Sequence, residues 1–565
     1  MLAVTAAQMR KIEELSINDY GVPGIVLMEN AAIRVAEEVI SVMAKNAGSV
    51  LARLKTVLFA GQGNNGGDAF AVARHICNKG FEAKVFIIGD SSEISGDAST
   101  NLEIIKKMGL DITEYGPIKA VSPLIPGAAG GMGNSYTPDG MATGPVGFIE
   151  RVDAAIDAAD IILDGIFGTG FKGLITGVAA NVVNRINASG KMVISIDMPS
   201  GLNADTGKVE GPCVSAMKTV TFGLPKIGLV VHPGCEYAGQ LVVADISIPS
   251  GVVDQLRGDI KSHVVDAEMV KSFFKVRPKN TNKGDYGKVL LFTGSSGMTG
   301  AGCLSSEAIL RVGAGLAYAA VPASLAPIYN NALKELITIS LDDSEDPGFI
   351  PEDAYLCLPE LLKGKSVAAA GPGLSSKPAV RDLTEALIRE SKIPLVLDAD
   401  ALNVLEGRVS IFKKLKTAAV LTPHPGEMAR LTGKSISEVQ EDRIGTALSF
   451  AERYGVILVL KGAGTIIASP DGSFFINTTG NPGMATGGSG DVLTGMIAGL
   501  AAQGFKPLDA AVAGVYLHGL AGDLASMEKG EYGMIAGDML DYLPYSMIQF
   551  LPEAIIETMD ATERK

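Results

Sequence analysis

Asn481-Pro-Gly-Met-Ala-Thr-Gly-Gly-Ser-Gly-Asp491 runs straight into Val492-Leu-Thr-Gly-Met-Ile-Ala-Gly-Leu500, and this junction governs how the chain is read. Gly487, Gly488 and Gly490 free the backbone to curl with its N–H groups turned inward. The apolar run behind them reads as a helix, so these amides stand at a helix N-terminus. Unpaired N–H groups and the positive end of the macrodipole favour an anion there. Asp491 at the mouth of such a site suits a base that takes a proton from a hydroxyl about to meet phosphorus. The competing reading is a flexible glycine turn closed by a capping Asp. No Gly-Lys-Ser/Thr follows the glycines, so the loop is not of the Walker A type.

The chain before this loop is expected to be open α/β. A hairpin with a Pro-Asp-Gly turn is expected over 465–476. Ahead of it, apolar strands are expected at Val289–Phe292, Val367–Ala370, Pro394–Leu397, Ala419–Thr422 and Val456–Leu460. Each is followed at once by residues fit for binding: Gly294 to Gly300, Gly371-Pro-Gly373, Asp398-Ala-Asp400 with Asn403, His424 to Arg430, and Lys461-Gly-Ala463. In open parallel sheets ligands sit beyond the carboxyl ends of the strands.

The first half has the same grammar. Two helical stretches are expected over 5–46, around Gly21-Val-Pro-Gly24. The strand Thr56–Ala60 then leads into Gly61-Gln-Gly-Asn-Asn-Gly-Gly-Asp68, and Asp90 closes the next strand, Val85–Ile88. Gly61, Gly63 and Gly66 satisfy the spacing of a dinucleotide fingerprint, although glycine-rich turns of this kind are common in α/β sheets. Ile161–Leu163 runs into Asp164 and then Gly168-Thr-Gly-Phe-Lys-Gly-Leu174; Met192–Ile196 runs into Asp197-Met-Pro-Ser-Gly201; Thr219–Phe222 runs into Gly223-Leu-Pro-Lys226. Asp68, Asp164 and Asp197 should therefore share one crevice. Any one of them alone would more simply be a cap or turn residue.

At 565 residues the chain is long enough for two full-sized cores. A net charge of −14 argues against a nucleic-acid or anionic-membrane surface, so an anionic ligand must be held by local amides and a few lysines. The five cysteines (Cys77, Cys213, Cys235, Cys303, Cys357) are scattered, which suits a reducing compartment and gives neither a disulfide framework nor a zinc site. The five histidines give no metal spacing either. With no signal pattern at the start and no apolar run of ~18–20 residues, the expected location is cytoplasmic.

Asn64-Asn-Gly-Gly-Asp68, Asp164 with Gly168-Thr-Gly-Phe-Lys-Gly, Ser195-Ile-Asp-Met-Pro-Ser-Gly201 and Phe222-Gly-Leu-Pro-Lys-Ile-Gly resemble the NAD(P)HX epimerase domain, where NAD(P)HX is hydrated NAD(P)H. Asn282-Lys-Gly-Asp-Tyr-Gly287, His424-Pro-Gly-Glu-Met-Ala-Arg430 and the 481–491 loop resemble the ADP- or ATP-dependent NAD(P)HX dehydratases of the ribokinase-like superfamily. The resemblance implies an α/β protein of two domains: an N-terminal Rossmann-like three-layer sandwich and a C-terminal ribokinase-like domain. An epimerase domain is expected over 1–250, a connection over 251–275, a dehydratase domain over 276–550 and a tail over 551–565. The Gly/Pro-rich stretch 121–148 departs from the family pattern and reads as an exposed loop.

The resemblance also implies roles. In the first half, Asn64, Asn65, Gly66, Gly67, Asp68, Gly168, Thr169, Gly170, Phe171, Lys172, Gly173, Leu174 and Asp197 would line the NAD(P)HX site. Asn65, Asp164 and Ser200 would hold potassium. In the second, Gly373, His424, Pro425, Gly426, Glu427, Met428, Ala429, Arg430 and Asp491 would face NAD(P)HX. Lys461, Gly462, Ala463, Gly464 and Thr465, with Asn481, Pro482, Gly483, Met484, Ala485, Thr486, Gly487, Gly488, Ser489 and Gly490, would face ADP. For His424, a packed histidine and a ligand are equally good readings.

The chemistry implied is repair. NAD(P)HX carries a hydroxyl beside the ring nitrogen, whose lone pair can expel a leaving group to give an iminium ion. Phosphate leaves far better than hydroxide, so a kinase fold suits a dehydration. Asp491 would deprotonate the hydroxyl, with the loop amides and magnesium carrying the phosphoryl charge. Epimerisation would use the same iminium, with Asp68 or Asp197 as acid/base. The partners expected are NADHX, NADPHX and ADP, with homo-oligomers implied by the family. The rivals are a ribokinase-like small-molecule kinase fused to a dinucleotide-binding domain, and a non-catalytic nucleotide-binding protein.

Overall fold

In the computed structural model the chain forms two compact units, residues 2–260 and residues 261–565 together with Met1. The structure describes residues 1–47, 54–115 and 145–550. The stretch 121–144 of the expected loop and the tail 551–565 lie outside the described residues.

The first unit is built on seven strands: β1 (Lys55–Ala60), β2 (Glu82–Ile88), β3 (Asp111–Tyr115), β4 (Ile161–Gly165), β5 (Met192–Ile196), β6 (Lys218–Phe222) and β7 (Gln240–Ala244). All pair in parallel, in the order β3-β2-β1-β4-β5-β6-β7. Successive inward residues feed two cores. Leu58, Ala60, Leu163 and Ile194 meet helices Gly24–Ala47, Asn64–Asn78 and Gly96–Lys107 on one face, while Val57, Phe59, Ile162 and Val193 meet Pro145–Ala158 and Gly177–Ala188 on the other. Covering both faces is why the central strands β1, β4 and β5 carry apolar runs. The strand order reverses between β1 and β4, and their ends are joined by Gly61 N–H donating to Gly165 O at 3.0 Å. That is the switch point at which α/β sheets open a crevice.

The second unit has ten strands: β8 (Ser262–Val264), β9 (Lys288–Phe292), β10 (Leu316–Pro322), β11 (Ile337–Leu341), β12 (Val367–Ala370), β13 (Leu395–Leu397), β14 (Ala419–Leu421), β15 (Ile457–Leu460), β16 (Ile466–Ala468) and β17 (Phe474–Ile476). They run in the order β11-β10-β9-β12-β13-β14-β15-β16-β17-β8, parallel up to β15, with β16 and β17 as the expected antiparallel hairpin. Helix Ser489–Ala502 is buried from Val492 to its end, as its apolar run requires. The two-unit α/β fold expected from sequence is the one observed.

The stretch 251–275 is not a free connection. Val252, on helix Ser250–Leu256, and Ile260 pack with Leu2, Val4, Met9 and Ile12 of the first unit. β8 pairs with β17, and Val270 of helix Ala267–Phe273 enters the core of the second unit. Apolar residues on both sides of position 260 thus commit each part to its own core.

Candidate active sites of the two units

In the first unit, helix Asn64–Asn78 starts immediately beyond β1, because Gly66 lets the chain fold back tightly: a Cβ there would lie 1.9 Å from Gly61 O. This places Asn65 and Asp68, both buried, at the sheet's switch point. Asp164 at the end of β4 is wholly buried and accepts hydrogen bonds from Ser195 Oγ (2.9 Å), Ser200 N (2.8 Å), Ser200 Oγ (2.5 Å) and Ile166 N (3.3 Å). Burial raises its pKa against the pull of those donors. Asn65 Nδ2 donates to Phe167 O at 2.9 Å, and Ser200 Oγ lies 3.3 Å from the same carbonyl. Asn65 Oδ1 is buried with no hydrogen-bond partner in the structure.

Asp197, just past β5, sits at φ 61°, a left-handed conformation uncommon outside glycine and asparagine. Its Oδ1 accepts from Lys226 Nζ (2.6 Å), Thr221 Oγ1 (3.1 Å) and Phe222 N (3.4 Å). Lys226 is 1% exposed. Asp68 has no such cation: among the described residues no hydrogen bond reaches its carboxyl. Burial, with the negative charges of Asp197 and Glu13 beside it, holds its pKa well above the usual carboxylate range. Burial and Asp197 likewise raise Glu13, on helix Ala6–Asn18.

In the second unit, Gly488 enters helix Ser489–Ala502 at φ 94°, and the amides of Gly490 and Asp491 in its first turn find no acceptor among the described residues. Burial, then the negative charge of Asp398, pushes the Asp491 carboxyl up to about 7. Asp398, at the end of β13, accepts from Lys461 Nζ and Thr494 Oγ1, each at 2.7 Å. Glu427 Oε2 is 3.8 Å from the same ammonium. Burial opposes the charge on Lys461, but Asp398 and Glu427 outweigh it and raise its pKa.

Two family models match the chain: YjeF-related protein N-terminus over residues 24–228, and NAD(P)H-hydrate dehydratase over residues 289–545. The bifunctional NAD(P)H-hydrate repair enzyme Nnr of Moorella thermoacetica is 45% identical over 545 residues, covering 96% of each chain. The enzyme of the same name from Thermofilum pendens is 35% identical, covering 97% of this chain and 96% of its own. The chain belongs to the bifunctional NAD(P)H-hydrate repair enzyme family. Among solved structures, the ADP/ATP-dependent NAD(P)H-hydrate dehydratase from Bacillus subtilis, co-crystallized with ATP/Mg2+, is 32% identical with a TM-score of 0.46, covering 51% of this chain and 99% of that one.

Within this repair-enzyme frame the expected residues fall into groups. Asn65, Asp68, Asp164, Asp197 and Ser200 are buried at or just beyond the ends of β1, β4 and β5. Gly170 and Lys172 to Leu174 are exposed. Asp90 Oδ1 accepts from Ser92 N at 2.8 Å as a turn cap. Met428 and Ala429 are buried, whereas Arg430 is exposed and its Nε and Nη2 bind Asn403 Oδ1 at 3.1 and 2.8 Å. His424 is neither packed nor free: its Nδ1 accepts from Gly426 N and Glu427 N at 3.0 and 3.3 Å, capping helix Pro425–Thr432.

Helices distant in sequence supply what sequence reading did not find. Arg443 Nη2 ties the end of β15 through Leu460 O and Lys461 O, at 3.2 and 3.3 Å. On helix Pro507–Lys529, Asp523 accepts from Gly480 N and Asn481 Nδ2, and buried His518, depressed by burial to about 4, stands 3.4 Å from Ser489 Oγ. The apolar run holding His518 and Asp523 carried a signal: polar groups inside such a run need a partner.

Proposed function

We propose that the second unit dehydrates the S form of hydrated NAD(P)H with ADP, giving AMP and phosphate, while the first unit interconverts the R and S forms. The observation that carries the reading is Asp491. A carboxyl pushed to about 7 stands in the first turn of a helix whose leading amides are open to an anion. It can take the substrate hydroxyl's proton as that oxygen attacks the terminal phosphorus of the nucleotide. Lys461 and the open amides of Gly490 and Asp491 face the charge that develops. The phosphate then departs with the C–O bonding pair as the ring nitrogen's lone pair forms the iminium C=N bond, and loss of the neighbouring proton restores the dihydropyridine. Magnesium arrives with the nucleotide as part of the substrate.

In the first unit the two carboxyls divide the work. Asp197 is engaged by Lys226 at 2.6 Å, whereas Asp68, whose carboxyl burial and the charge of Asp197 push well above the usual range, gives its proton to the departing hydroxyl. Water leaves, and water returns to the other face of the iminium ion as Asp68 recovers the proton. Potassium fits the residues at the switch point: the unpartnered oxygen of Asn65, the carboxylate of Asp164 and the hydroxyl of Ser200 are hard oxygen donors. Held there, it supplies a fixed positive charge. Free, scattered cysteines suit a cytoplasmic setting for this work.

Recovery of reduced-nicotinamide absorbance from mixed NADHX epimers tests the whole scheme. With ADP and magnesium the full chain should consume both epimers; Asp164→Ala should stop at the S form and lose any dependence on potassium. Equal or better turnover with ATP removes the ADP assignment. Phosphorylation of a vitamin or sugar alcohol without NADHX dehydration restores the small-molecule kinase.

A further inference from the structure

Asp398 is 1% exposed, and both of its carboxylate oxygens are engaged, Oδ1 by Lys461 and Oδ2 by Thr494. Its approach is built into the backbone: a Cβ on Gly371, which sits at φ 136°, would lie 1.8 Å from Asp398 O. The carboxylate lies directly beneath the open amides, since a Cβ on Gly490 would come 3.9 Å from Asp398 Oδ2 and 3.2 Å from Lys461 Nζ. Buried and with both oxygens engaged, the carboxylate is spent on its two partners.

We propose that Asp398 is a positioning residue of the dehydratase site, tying the lysine just past β15 to Thr494, in the second turn of the helix that carries Asp491. One buried carboxylate thereby sets the distance between the cation that meets the nucleotide and the base that attacks through the hydroxyl. A displacement of about 1 Å between such groups can cost ~10²-fold in rate. The same carboxylate, with Asp400 and Glu427 and against Lys461, is part of the field that keeps Asp491 basic.

The inference rests on Asp491 being the base, and the test separates the two. Full-length Asp398→Asn should lose ~10- to 100-fold in dehydration kcat. The acid limb of its kcat/KM profile should move about one pH unit lower, because a negative neighbour of Asp491 is gone. Thr494→Val keeps the Lys461 pair, so it should fold normally, lose several-fold in kcat and leave the acid limb in place. Epimerase activity reports folding of the chain, and a thermal melt reports the second unit. A merely structural Asp398 would lower the melt without moving the acid limb. An Asp398→Asn enzyme with unchanged kcat and limb, beside an inert Asp491→Asn, overturns this proposal alone; an active Asp491→Asn removes the base itself. If Asp398→Asn does not fold, unchanged kcat in Thr494→Val overturns the tether.

Discussion

The two units solve one electrostatic problem twice and use the answers in opposite ways. Each sets a carboxylate just past a central strand against a lysine: Asp197 with Lys226 at 2.6 Å, and Asp398 with Lys461 at 2.7 Å. Each then places a second carboxyl, Asp68 or Asp491, beside the paired one, where burial and that neighbouring charge raise its pKa. The difference lies in the lysines. Lys226 is 1% exposed and donates to Asp197 Oδ1, Thr221 Oγ1 and Phe222 O, which takes up all three protons of an ammonium. Lys461 is 18% exposed on its side chain and makes one hydrogen bond among the described residues, so it can still donate to a phosphate. A saturated lysine fixes a charge; an unsaturated one offers it. That suits a first unit that moves only a proton and a water, and a second that must meet a nucleotide.

The comparison breaks most visibly at Asp491. Asp491→Asn keeps the shape of the side chain, so folding and ADP binding should survive while dehydration falls ~10²–10⁴-fold, the usual loss for a general base. Wild-type dehydration should rise with pH through about 7, as the carboxyl ionises. Epimerisation by a protonated Asp68 should instead fall as pH rises past that group's elevated value. Opposite slopes in one chain, measured with the R and S forms separately, are the signature. Parallel slopes mean that both carboxyls act in the same protonation state and the division is wrong.

A smaller effect sharpens the first unit. Asp68→Asn should abolish most epimerisation without loss of stability, since it removes a carboxyl that burial already keeps neutral. Asp197→Asn leaves Lys226 charged and buried, and breaking such a pair costs about 3–5 kcal/mol. Its thermal melt should therefore drop together with its activity. A stable, inactive Asp197→Asn beside an active Asp68→Asn would exchange the two roles.

Much of this was legible in sequence because of where the strands lie. β1, β4, β5, β9 and β12 are covered on both faces, so they stand out as apolar runs, and the acids that follow β1, β4 and β5 mark the first crevice. β3, β7 and β11 were not legible; they are partly exposed, and β3 and β11 mix polar with apolar residues. β10 escaped for another reason: Leu316-Ala-Tyr-Ala-Ala-Val-Pro322 is rich in alanine, a poor strand former. Strand-end position exposed Asp68, Asp164 and Asp197, and the glycine loop exposed Asp491, but neither said anything of their partners. Thr494 and Glu13 come from helix interiors, and periodicity treats them as ordinary helix residues. Lys226 did carry a signal, being one charge inside Phe222-Gly-Leu-Pro-Lys-Ile-Gly-Leu-Val-Val231. Only the fold shows that its partner is Asp197.

The smallest effect concerns His424, which has no counterpart in the first unit. Its Nδ1 caps helix Pro425–Thr432, and Glu427 Oε2 returns the bond by accepting from His424 N at 2.8 Å. An imidazole can accept at Nδ1 only when that nitrogen carries no proton. Burial, then the charges of Lys461 and Arg430, lowers its pKa and keeps it neutral. Because the folded value is depressed, the cap's contribution is present above the ordinary imidazole pKa and is lost as pH falls through the folded one. His424→Ala should cost about 1 kcal/mol in denaturant unfolding of the second unit near pH 7.5. The loss should shrink in acid, as pH falls through the ring's depressed value. Asparagine caps well, so His424→Asn should recover the stability. Asparagine lacks the ring's Nε2, which stands 3.4 Å from Glu427 Oε1 on a side chain that is half exposed. A KM for NADHX that stays raised in the Asn variant assigns that nitrogen to the substrate, whereas a KM that returns with stability makes His424 a cap alone. An Ala variant as stable as wild type would remove the cap from the account.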